Sequence, residues 1–194
     1  MSEHAEHKED GSLTGQLLIA MPNIGDPRFD RAVVYLFEHQ SSGAMGLIVN
    51  RPTDDVSFTD LLEQLELEIS GDIGETPVRF GGPVEVQRGF VLHSPDYHRD
   101  DATLQVDEDV SMTATVDVLR AMASGDGPRR SLFALGYAGW GPGQLEREIK
   151  QNGWLYCEAD PEIVFDAADE TKWTRALAQI GVDPSMLSSA AGSA

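Results

Sequence analysis

Short strand-like runs joined by very brief connections constrain the fold of this chain more than any other feature. The runs AVVYLFE (32–38) and AMGLIVN (44–50) are rich in β-branched and other apolar residues, and only the turn-rich stretch HQSSG separates them. A parallel crossover needs about a dozen residues or more, so these two runs predict an antiparallel hairpin. The other runs predicted as strands are LTGQLLIAMP (13–22), PVRFGG (77–82), RGFVLH (88–93), SLFALGYAG (131–139), GWLYCEA (153–159) and IVFD (163–166).

Helical patterns lie between several of these strands. Ser57 stands three residues before Asp60, the spacing of a capping box, and an apolar stripe follows. A second helix is predicted over 113–124, after a polar acidic loop that extends to about residue 110. Gly141 and Pro142 suit the N-cap and first position of a third helix. A closing helix, ended by Gly181, has an apolar face formed by Trp173, Leu177 and Ile180.

These elements predict the fold class and the domain organisation. Strands and helices are interspersed, but the short strand connections favour a largely antiparallel or mixed sheet, so the class is α+β. The chain has 194 residues and a mass of 21.1 kDa, which fits one domain. We expect residues 1–12 to form a disordered acidic leader, 13–188 a single domain and 189–194 a flexible C-terminus. His4 and His7 of the leader are expected to lie in solvent.

The charge balance narrows the classes of partner. Thirty-three acidic side chains face 14 basic ones, and the formal net charge is −19. Proteins that bind DNA use Lys and Arg to displace counterions from phosphates, so direct nucleic-acid binding is disfavoured. The acidity is interpreted as a solubilising surface without a dedicated partner, and the alternative is a basic partner.

Three observations predict the compartment. No apolar run approaches the roughly 18 residues of a membrane-spanning helix. The polar, acidic start MSEHAEHKEDG is the opposite of a signal peptide. Cys157 is the single cysteine, so an internal disulfide is impossible and a reducing compartment is favoured. We therefore expect a cytoplasmic protein without a membrane span.

The stretch GYAGWGPGQLE (136–146) has two interpretations. Glycines before a helix N-terminus are typical of an anion site. Here, however, Gln144 follows the last glycine where phosphate loops place a lysine, and Glu146 and Glu148 would repel a phosphate. The favoured interpretation is a tight corner in which Trp140 covers apolar surface. A small uncharged or cationic ligand beside Trp140 is the alternative.

Other residues with chemical potential are weaker candidates. His93, Ser94 and Asp96 are near neighbours in LHSPD, but catalytic triads are assembled from distant segments, so a strand-end histidine and a Ser-Pro turn are favoured. The possible metal ligands are scattered, and His93 with His98 is the weak exception. Cys157 is expected in the core. The FGGP stretch lacks the setting of a dinucleotide-binding motif. We predict no catalytic residue, metal ligand or cofactor.

Arg51, in the stretch NRP (50–52), follows the end of a predicted strand. An arginine at such a place would clamp a carboxylate or a phosphate. The favoured alternative is a surface salt bridge.

Several motifs taken in order resemble the YqgE/AlgH family of small bacterial proteins. They are GQLLIAMPNIGDPRFDRAVVYLFEH, GAMGLIVNRP, FGGPV, GFVLHS, GYAGWGPGQLE and GWL, and they span residues 13 to about 182. The resemblance implies a sheet bent into a barrel-like shape with flanking helices, a bacterial cytoplasmic location and an association with transcriptional regulation. It implies no settled catalytic residues. The positions matching the motifs are Asp26, Arg31, Asn50, Arg51, Gly81, Gly82, Pro83, His93, Gly136, Trp140, Gln144 and Glu146.

Two hypotheses about function follow. The first is a non-catalytic interaction or regulatory protein that acts through a protein partner, because no acid, base and nucleophile set is evident. The second is a small-ligand-binding protein or an enzyme with a pocket around Arg51, His93, Trp140 and Gln144. The candidate ligand- or partner-binding residues are Asn50, Arg51, Gly81, Gly82, His93, Trp140 and Gln144.

Overall fold

The computed structural model describes residues 11–188. The strands are β1 (Gln16–Ala20), β2 (Val33–Gln40), β3 (Gly43–Ile48), β4 (Val78–Phe80), β5 (Val84–His93), β6 (Thr103–Gln105), β7 (Ser111–Thr113), β8 (Ser131–Trp140) and β9 (Trp154–Glu158). The helices are α1 (Phe58–Gln64), α2 (Val116–Ser124), α3 (Gln144–Lys150), α4 (Pro161–Phe165), α5 (Asp169–Gln179) and α6 (Pro184–Ser188), with a 3-10 helix at Pro27–Phe29. His4, His7, most of the predicted leader and the predicted C-terminal tail lie outside the described residues.

One sheet contains all the strands of the described chain. Its order is β6-β7-β5-β8-β3-β2-β1-β9, and β4 pairs with β8 beside this path. Every pairing is antiparallel except that of β4 with β8. The sheet curls into a half-barrel with the helices around it, which confirms the predicted α+β class. The hairpin of β2 and β3 is also confirmed, with a two-residue turn between Gln40 and Gly43.

The predicted capping box of α1 is present. The Ser57 hydroxyl accepts from the backbone N–H of Asp60 at 3.1 Å, and the Asp60 carboxylate accepts from the N–H of Ser57 at 3.4 Å. Helices α1 and α2 pack over the sheet through Phe58, Leu62, Val118 and Leu119. The local start signal and the apolar stripe therefore agree, and the helix forms where the sequence predicts it.

Three predicted elements are wrong in detail. The stretch predicted as an acidic loop contains β6, and β7 follows directly after it; three residues are too short to give an alternating pattern, and Thr113 belongs to β7 instead of α2. The run IVFD lies in α4 and not in a strand, because Asp160 caps the helix and Pro161 occupies its first turn. The N-cap of α3 is Gly143, so Gly141 and Pro142 form the preceding turn.

The sheet is buried on both faces over much of its area. Along β1, Leu17 and Ile19 join one apolar cluster with α5, whereas Leu18 joins a second cluster with Trp140 and Trp154. Because successive side chains point to opposite faces, a strand covered on both sides carries a continuous apolar run. This burial explains why β1, β2 and β3 are almost uniformly apolar in sequence.

Glycines allow β8 to cross the segment that follows β4. Gly136 in β8 has φ +75°, and a Cβ there would lie 2.3 Å from the Gly82 carbonyl oxygen. Gly82 has φ +154°, and its Cβ would lie 2.0 Å from the Tyr137 carbonyl carbon. A Cβ on Gly81 would meet the Gly136 carbonyl oxygen at 2.3 Å. The two backbones therefore approach to a distance that no side chain permits.

We predict that Gly136→Ala lowers the free energy of unfolding by at least about 3 kcal/mol, since it combines a positive φ with overlap onto backbone atoms. Gly139→Ala is the control in the same strand, because its Cβ would make only ordinary contacts of 3.4 Å and longer. That change is expected to stay within about 0.5 kcal/mol. Chemical denaturation of both variants tests the prediction, and similar losses in the two would contradict it.

Candidate functional site

Trp140 lies at the end of β8, and its indole is buried with an exposed fraction of 7%. Its Nε1–H donates to Oε2 of Glu148 at 2.7 Å, and the Nε1–H of Trp154 donates to the same oxygen at 2.9 Å. The other oxygen, Oε1, accepts from the Gln144 amide at 3.2 Å. One carboxylate on α3 therefore holds two indoles and an amide, and Trp140 covers apolar surface as predicted.

The second acid of α3 is also bound within the protein. Glu146 Oε1 lies 2.7 Å from Nε2 of His39, while Nδ1 of His39 accepts from the backbone N–H of Leu13 at 2.9 Å. Because Nδ1 accepts, the ring proton is on Nε2 and donates to Glu146. Burial acts to raise the pKa of Glu146, but hydrogen bonds from its own backbone N–H and from His39 hold it below its ordinary value. The start of α3 therefore presents two carboxylates with partners, and not a phosphate cradle.

His93 is fully buried at the end of β5. Its Nδ1 lies 2.8 Å from the Ser94 carbonyl oxygen, so Nδ1 carries the proton, and its Nε2 lies 2.8 Å from the Thr113 hydroxyl. Burial lowers the pKa of His93, against the opposing effect of the carbonyl hydrogen bond. Both ring nitrogens have partners other than the Ser94 hydroxyl, which bonds Asp96 and the Arg130 carbonyl instead. The three neighbours therefore form no catalytic triad.

Asn50 and Arg51 hold the segment between the 3-10 helix and β2. The Asn50 side chain accepts from the N–H of Val33 and donates to the Arg31 carbonyl, each at 2.9 Å. The guanidinium of Arg51 donates to the Asp30 carbonyl at 2.5 Å. Arg51 thus bonds backbone carbonyls and not the carboxylate of the predicted salt bridge.

The structure places the candidate residues at separate points of the sheet. Trp140 and Gln144 share Glu148 as a partner at one end of β8. His93 pairs with Ser131 at the other end of β8, nine residues away, which corresponds to about 30 Å of strand. Gly81 and Gly82 cross the middle of β8, and Arg51 lies beside them through its carbonyl bond to the N–H of Phe80. The structure therefore does not gather Arg51, His93, Trp140 and Gln144 at one pocket.

A buried ionic cluster is present that the sequence analysis did not identify. Arg79 Nε donates to both oxygens of Asp169 at 3.0 and 3.1 Å, and the Lys172 ammonium lies 3.0 Å from Oδ1 of Asp169. Lys172 is fully buried and also donates to the carbonyls of Val49 and Val164. The spacing of Asp169 and Lys172, three apart beside the apolar Trp173, is the signal that would have revealed it. Through these bonds the cluster ties α4 and α5 to the sheet.

Two other features of the surface are candidates for binding. The acidic segment, residues 54–72, has seven exposed carboxylates, none of which forms an ion pair within residues 11–188. It also exposes Leu65 and Ile69, at 43% and 40% of their surfaces. The second is a cleft of about 540 Å³ at the start of β8, which none of the seven candidate residues lines.

No cluster of three or more His, Cys, Asp or Glu side chains within residues 11–188 has the arrangement of a metal site. No helix in this part of the chain is long and apolar enough to span a bilayer.

Lys172 gives a prediction for the pH dependence of stability. Burial lowers its pKa from 10.5 to about 8, against the opposing attraction of Asp169. Between these values the unfolded chain binds the proton more tightly, so the free energy of unfolding contributed by Lys172 rises with pH. Relative to Lys172→Met, the wild type is expected to gain up to about 3 kcal/mol from pH 8 to pH 10.5. Chemical denaturation at both pH values measures this gain, and a difference independent of pH would contradict it.

Glu148 gives a prediction about the Trp140 corner. In Glu148→Ala the indole N–H groups of Trp140 and Trp154 lose their acceptor, so we expect the free energy of unfolding to fall by about 2–4 kcal/mol. Glu148→Gln keeps an amide oxygen as acceptor and is expected to lose about 1 kcal/mol. Equal losses in the two variants, measured by urea denaturation, would show that the indole hydrogen bonds contribute little.

Several known proteins are similar to this chain in sequence and in fold. A UPF0301 protein of Methylobacterium sp. (strain 4-46) is 54% identical over 191 residues, covering 95% of this chain and 91% of that protein. A UPF0301 protein of Jannaschia sp. (strain CCS1) is 55% identical over 183 residues, covering 94% and 95%. The solution structure of the AlgH protein from Pseudomonas aeruginosa superposes with a TM-score of 0.77 at 42% identity, covering all of both chains.

A more distant structure shares the fold. The crystal structure of protein DIP2367 from Corynebacterium diphtheriae has a TM-score of 0.71 at 19% identity and covers 94% of this chain and 93% of that one. The family profile described as AlgH-like matches residues 17–185, almost the whole described structure. By this match and by the identity to its relatives, the chain belongs to the AlgH-like family.

Proposed function

We propose that this protein is a non-catalytic, cytoplasmic interaction protein that binds a basic protein partner through the acidic segment. The observation that carries the proposal is the coincidence of seven carboxylates without ion-pair partners and two exposed aliphatic side chains within residues 54–72. Any part in transcriptional regulation is then exerted through a protein and not through DNA, because a net charge of −19 repels phosphates.

The charge distribution supports this choice of partner. No lysine or arginine occurs between Arg51 and Arg79. The carboxylates of the acidic segment are Asp54, Asp55, Asp60, Glu63, Glu66, Glu68 and Asp72, and all are exposed. Charges beyond a Debye length of about 8 Å at physiological salt are largely screened, so distant cations of the chain compensate them little. A cationic partner would be steered towards this segment and would neutralise it.

The exposed aliphatic residues specify the form of the partner. Leu65 follows α1 and Ile69 lies four residues further along, with Glu66 and Glu68 between them. A segment that exposes apolar and acidic side chains together is complementary to an amphipathic basic helix. The apolar face of such a helix would cover Leu65 and Ile69, and its basic residues would pair with the carboxylates. Without a partner these side chains remain in water at a cost of about 25 cal/mol per Å² of apolar surface.

The two buried histidines and the buried cysteine support a non-catalytic role. His39 and His93 each have both ring nitrogens hydrogen-bonded inside the protein. Burial raises the pKa of the Cys157 thiol to about 11, and the nearby Glu158 charge adds to this. A thiol with such a pKa is protonated at neutral pH and is a poor nucleophile.

A labelled synthetic helix of leucine and lysine tests the proposal by fluorescence anisotropy. We expect it to bind with an affinity that falls with salt, and a peptide of equal charge with glutamine in place of leucine to bind about tenfold more weakly. The double variant Leu65→Ser, Ile69→Ser should weaken the leucine peptide about tenfold, whereas Val116→Ser, which removes an equally exposed valine in α2, should not.

Two triple variants separate a local site from a general charge effect. Glu63→Gln, Glu66→Gln, Glu68→Gln removes three charges from the acidic segment, and Asp100→Asn, Asp101→Asn, Glu108→Gln removes three exposed charges elsewhere. Both variants have the same net charge. The first is expected to weaken binding at least tenfold and the second less than threefold. Equal weakening, or no binding by the wild type, would reject the acidic segment as a docking site.

A further inference from the structure

A cleft of about 540 Å³ lies between the segment before β4, the start of β8 and helix α4. Its volume falls within the roughly 300–1,000 Å³ of small-molecule sites. The sequence analysis assigned no role to its lining residues, and it is separate from the acidic segment that carries the proposed function. A ligand of the cleft would therefore be distinct from the partner of the acidic segment.

Most charges in the cleft already have partners. Arg130 pairs with Glu162 at 2.6 Å, and Asp166 pairs with Arg175 at 2.6 Å. Three polar groups in the lining are different, namely the guanidinium of Arg129, the carboxylate of Glu75 and the hydroxyl of Ser131. Within residues 11–188 none of these three side chains makes a hydrogen bond or an ion pair. The cleft thus retains one cation, one anion and one hydroxyl group that form no hydrogen bond or ion pair within the described chain, although the charge of Arg129 also helps to lower the pKa of nearby Asp96.

The backbone that carries the free arginine is held firmly. The carboxylate of Asp96 accepts from the N–H of Arg129 at 3.0 Å, and the Ser94 hydroxyl accepts from the N–H of Arg130 at 3.0 Å. The N–H of Ser94 donates in turn to the Arg130 carbonyl at 3.0 Å. The Ser-Pro turn, which offers no triad, therefore fixes the bend before β8 that carries Arg129. Such support positions a binding group before a ligand arrives.

Apolar groups complete the lining. Pro77 comes from the segment before β4, and Pro161 and Phe165 come from α4. Prolines and a phenylalanine offer rigid surface that covers an apolar body at low entropic cost. Such a lining suits a ligand with a hydrocarbon part between or beside its charged groups.

We propose that this cleft binds a small zwitterion with an apolar side chain, of the class of free amino acids and short peptides with free termini. The ligand carboxylate bonds Arg129 and the Ser131 hydroxyl, and the ligand ammonium bonds Glu75. A dianion such as a nucleotide phosphate is disfavoured, because Glu75, Glu162 and Asp166 line the cleft and the chain carries a net charge of −19. A ligand that carries only a positive charge is also disfavoured, because it would leave Arg129 without an ion-pair partner.

The test is a ¹H–¹⁵N NMR titration of the full chain with the dipeptide alanyl-phenylalanine. Two derivatives serve as probes of the charges, one acetylated at its N-terminus and one amidated at its C-terminus. We expect the free dipeptide to shift the amide signals of Thr76, Arg129, Ser131 and Phe165. Each derivative lacks one charge and is expected to bind about tenfold more weakly, since a hydrogen bond between charged groups is lost.

Variants assign each charge of the ligand to a residue. In Arg129→Gln the amidated and free dipeptides should bind equally, and in Glu75→Gln the acetylated and free dipeptides should bind equally. Arg120→Gln and Glu108→Gln remove exposed charges outside the cleft and should leave all affinities within twofold. All four positions are exposed, so the amide spectra should retain the pattern of the folded wild type.

The outcomes separate the parts of the proposal. Shifts at the cleft that depend on both termini, and that the two cleft variants alter as stated, support it. No shift with the free dipeptide, or equal binding of the free and capped dipeptides to the wild type, would overturn it. Unchanged discrimination in Arg129→Gln would overturn the assignment of the carboxylate to Arg129. The peptide-helix experiment on the acidic segment is independent of every one of these results.

Discussion

The close crossing of β8 with the chain after β4 is the contact on which the rest of the structure depends. Gly82 and Gly136 lack the side chains that would hold the two backbones apart. β8 can therefore pair in parallel with β4 over residues 133–135, and then with β3 over residues 138–140, while β5 lies along its other edge. A single ten-residue strand thus belongs to both halves of the curled sheet. The first residue of β8, Ser131, lines the cleft, and its last residue is the buried Trp140. A change at the crossing would therefore shift both ends of the strand.

Most polar residues of the family motifs are bound to the protein itself. Asn50 and Arg51 hold backbone groups near the 3-10 helix, and His93 lies between a carbonyl and a threonine hydroxyl. A general base or nucleophile needs a lone pair that faces a substrate, and these groups have none to offer. The motifs are therefore recognisable because the fold requires them. Function is better sought among the polar groups that the fold leaves unbound.

Particular residues explain how far the sequence predicts this structure. Ser57 with Asp60, and the short link of β2 to β3, are local signals, and both elements form as predicted. In IVFD the preceding Asp160 and Pro161 outweigh the β-branched residues, so a helix replaces the predicted strand. The bonds of Asp169 with Arg79 and of Lys172 with the Val49 carbonyl join segments 90 and 123 residues apart, which no local pattern reveals. The dispersal of the candidate residues along β8 likewise follows from strand register, which no local pattern encodes.

The location of the net charge follows from the order of residues along the chain. Several arginines pair with an acid two or three positions away, as Arg28 does with Asp26, Arg88 with Glu85 and Arg120 with Asp117. Such pairs cancel charge only locally, because screening limits each cation to its surroundings. Between Arg51 and Arg79 there is no lysine or arginine to form such pairs, so the seven carboxylates of the acidic segment have no basic neighbour along the chain. Packing of α1 needs only Phe58 and Leu62 on its buried side, and the carboxylates on its exposed side are not required for that packing. Asp60 also supports the helix start through its capping box with Ser57, whereas the other carboxylates of the acidic segment form no ion pair within residues 11–188 and are open to the partner proposed above.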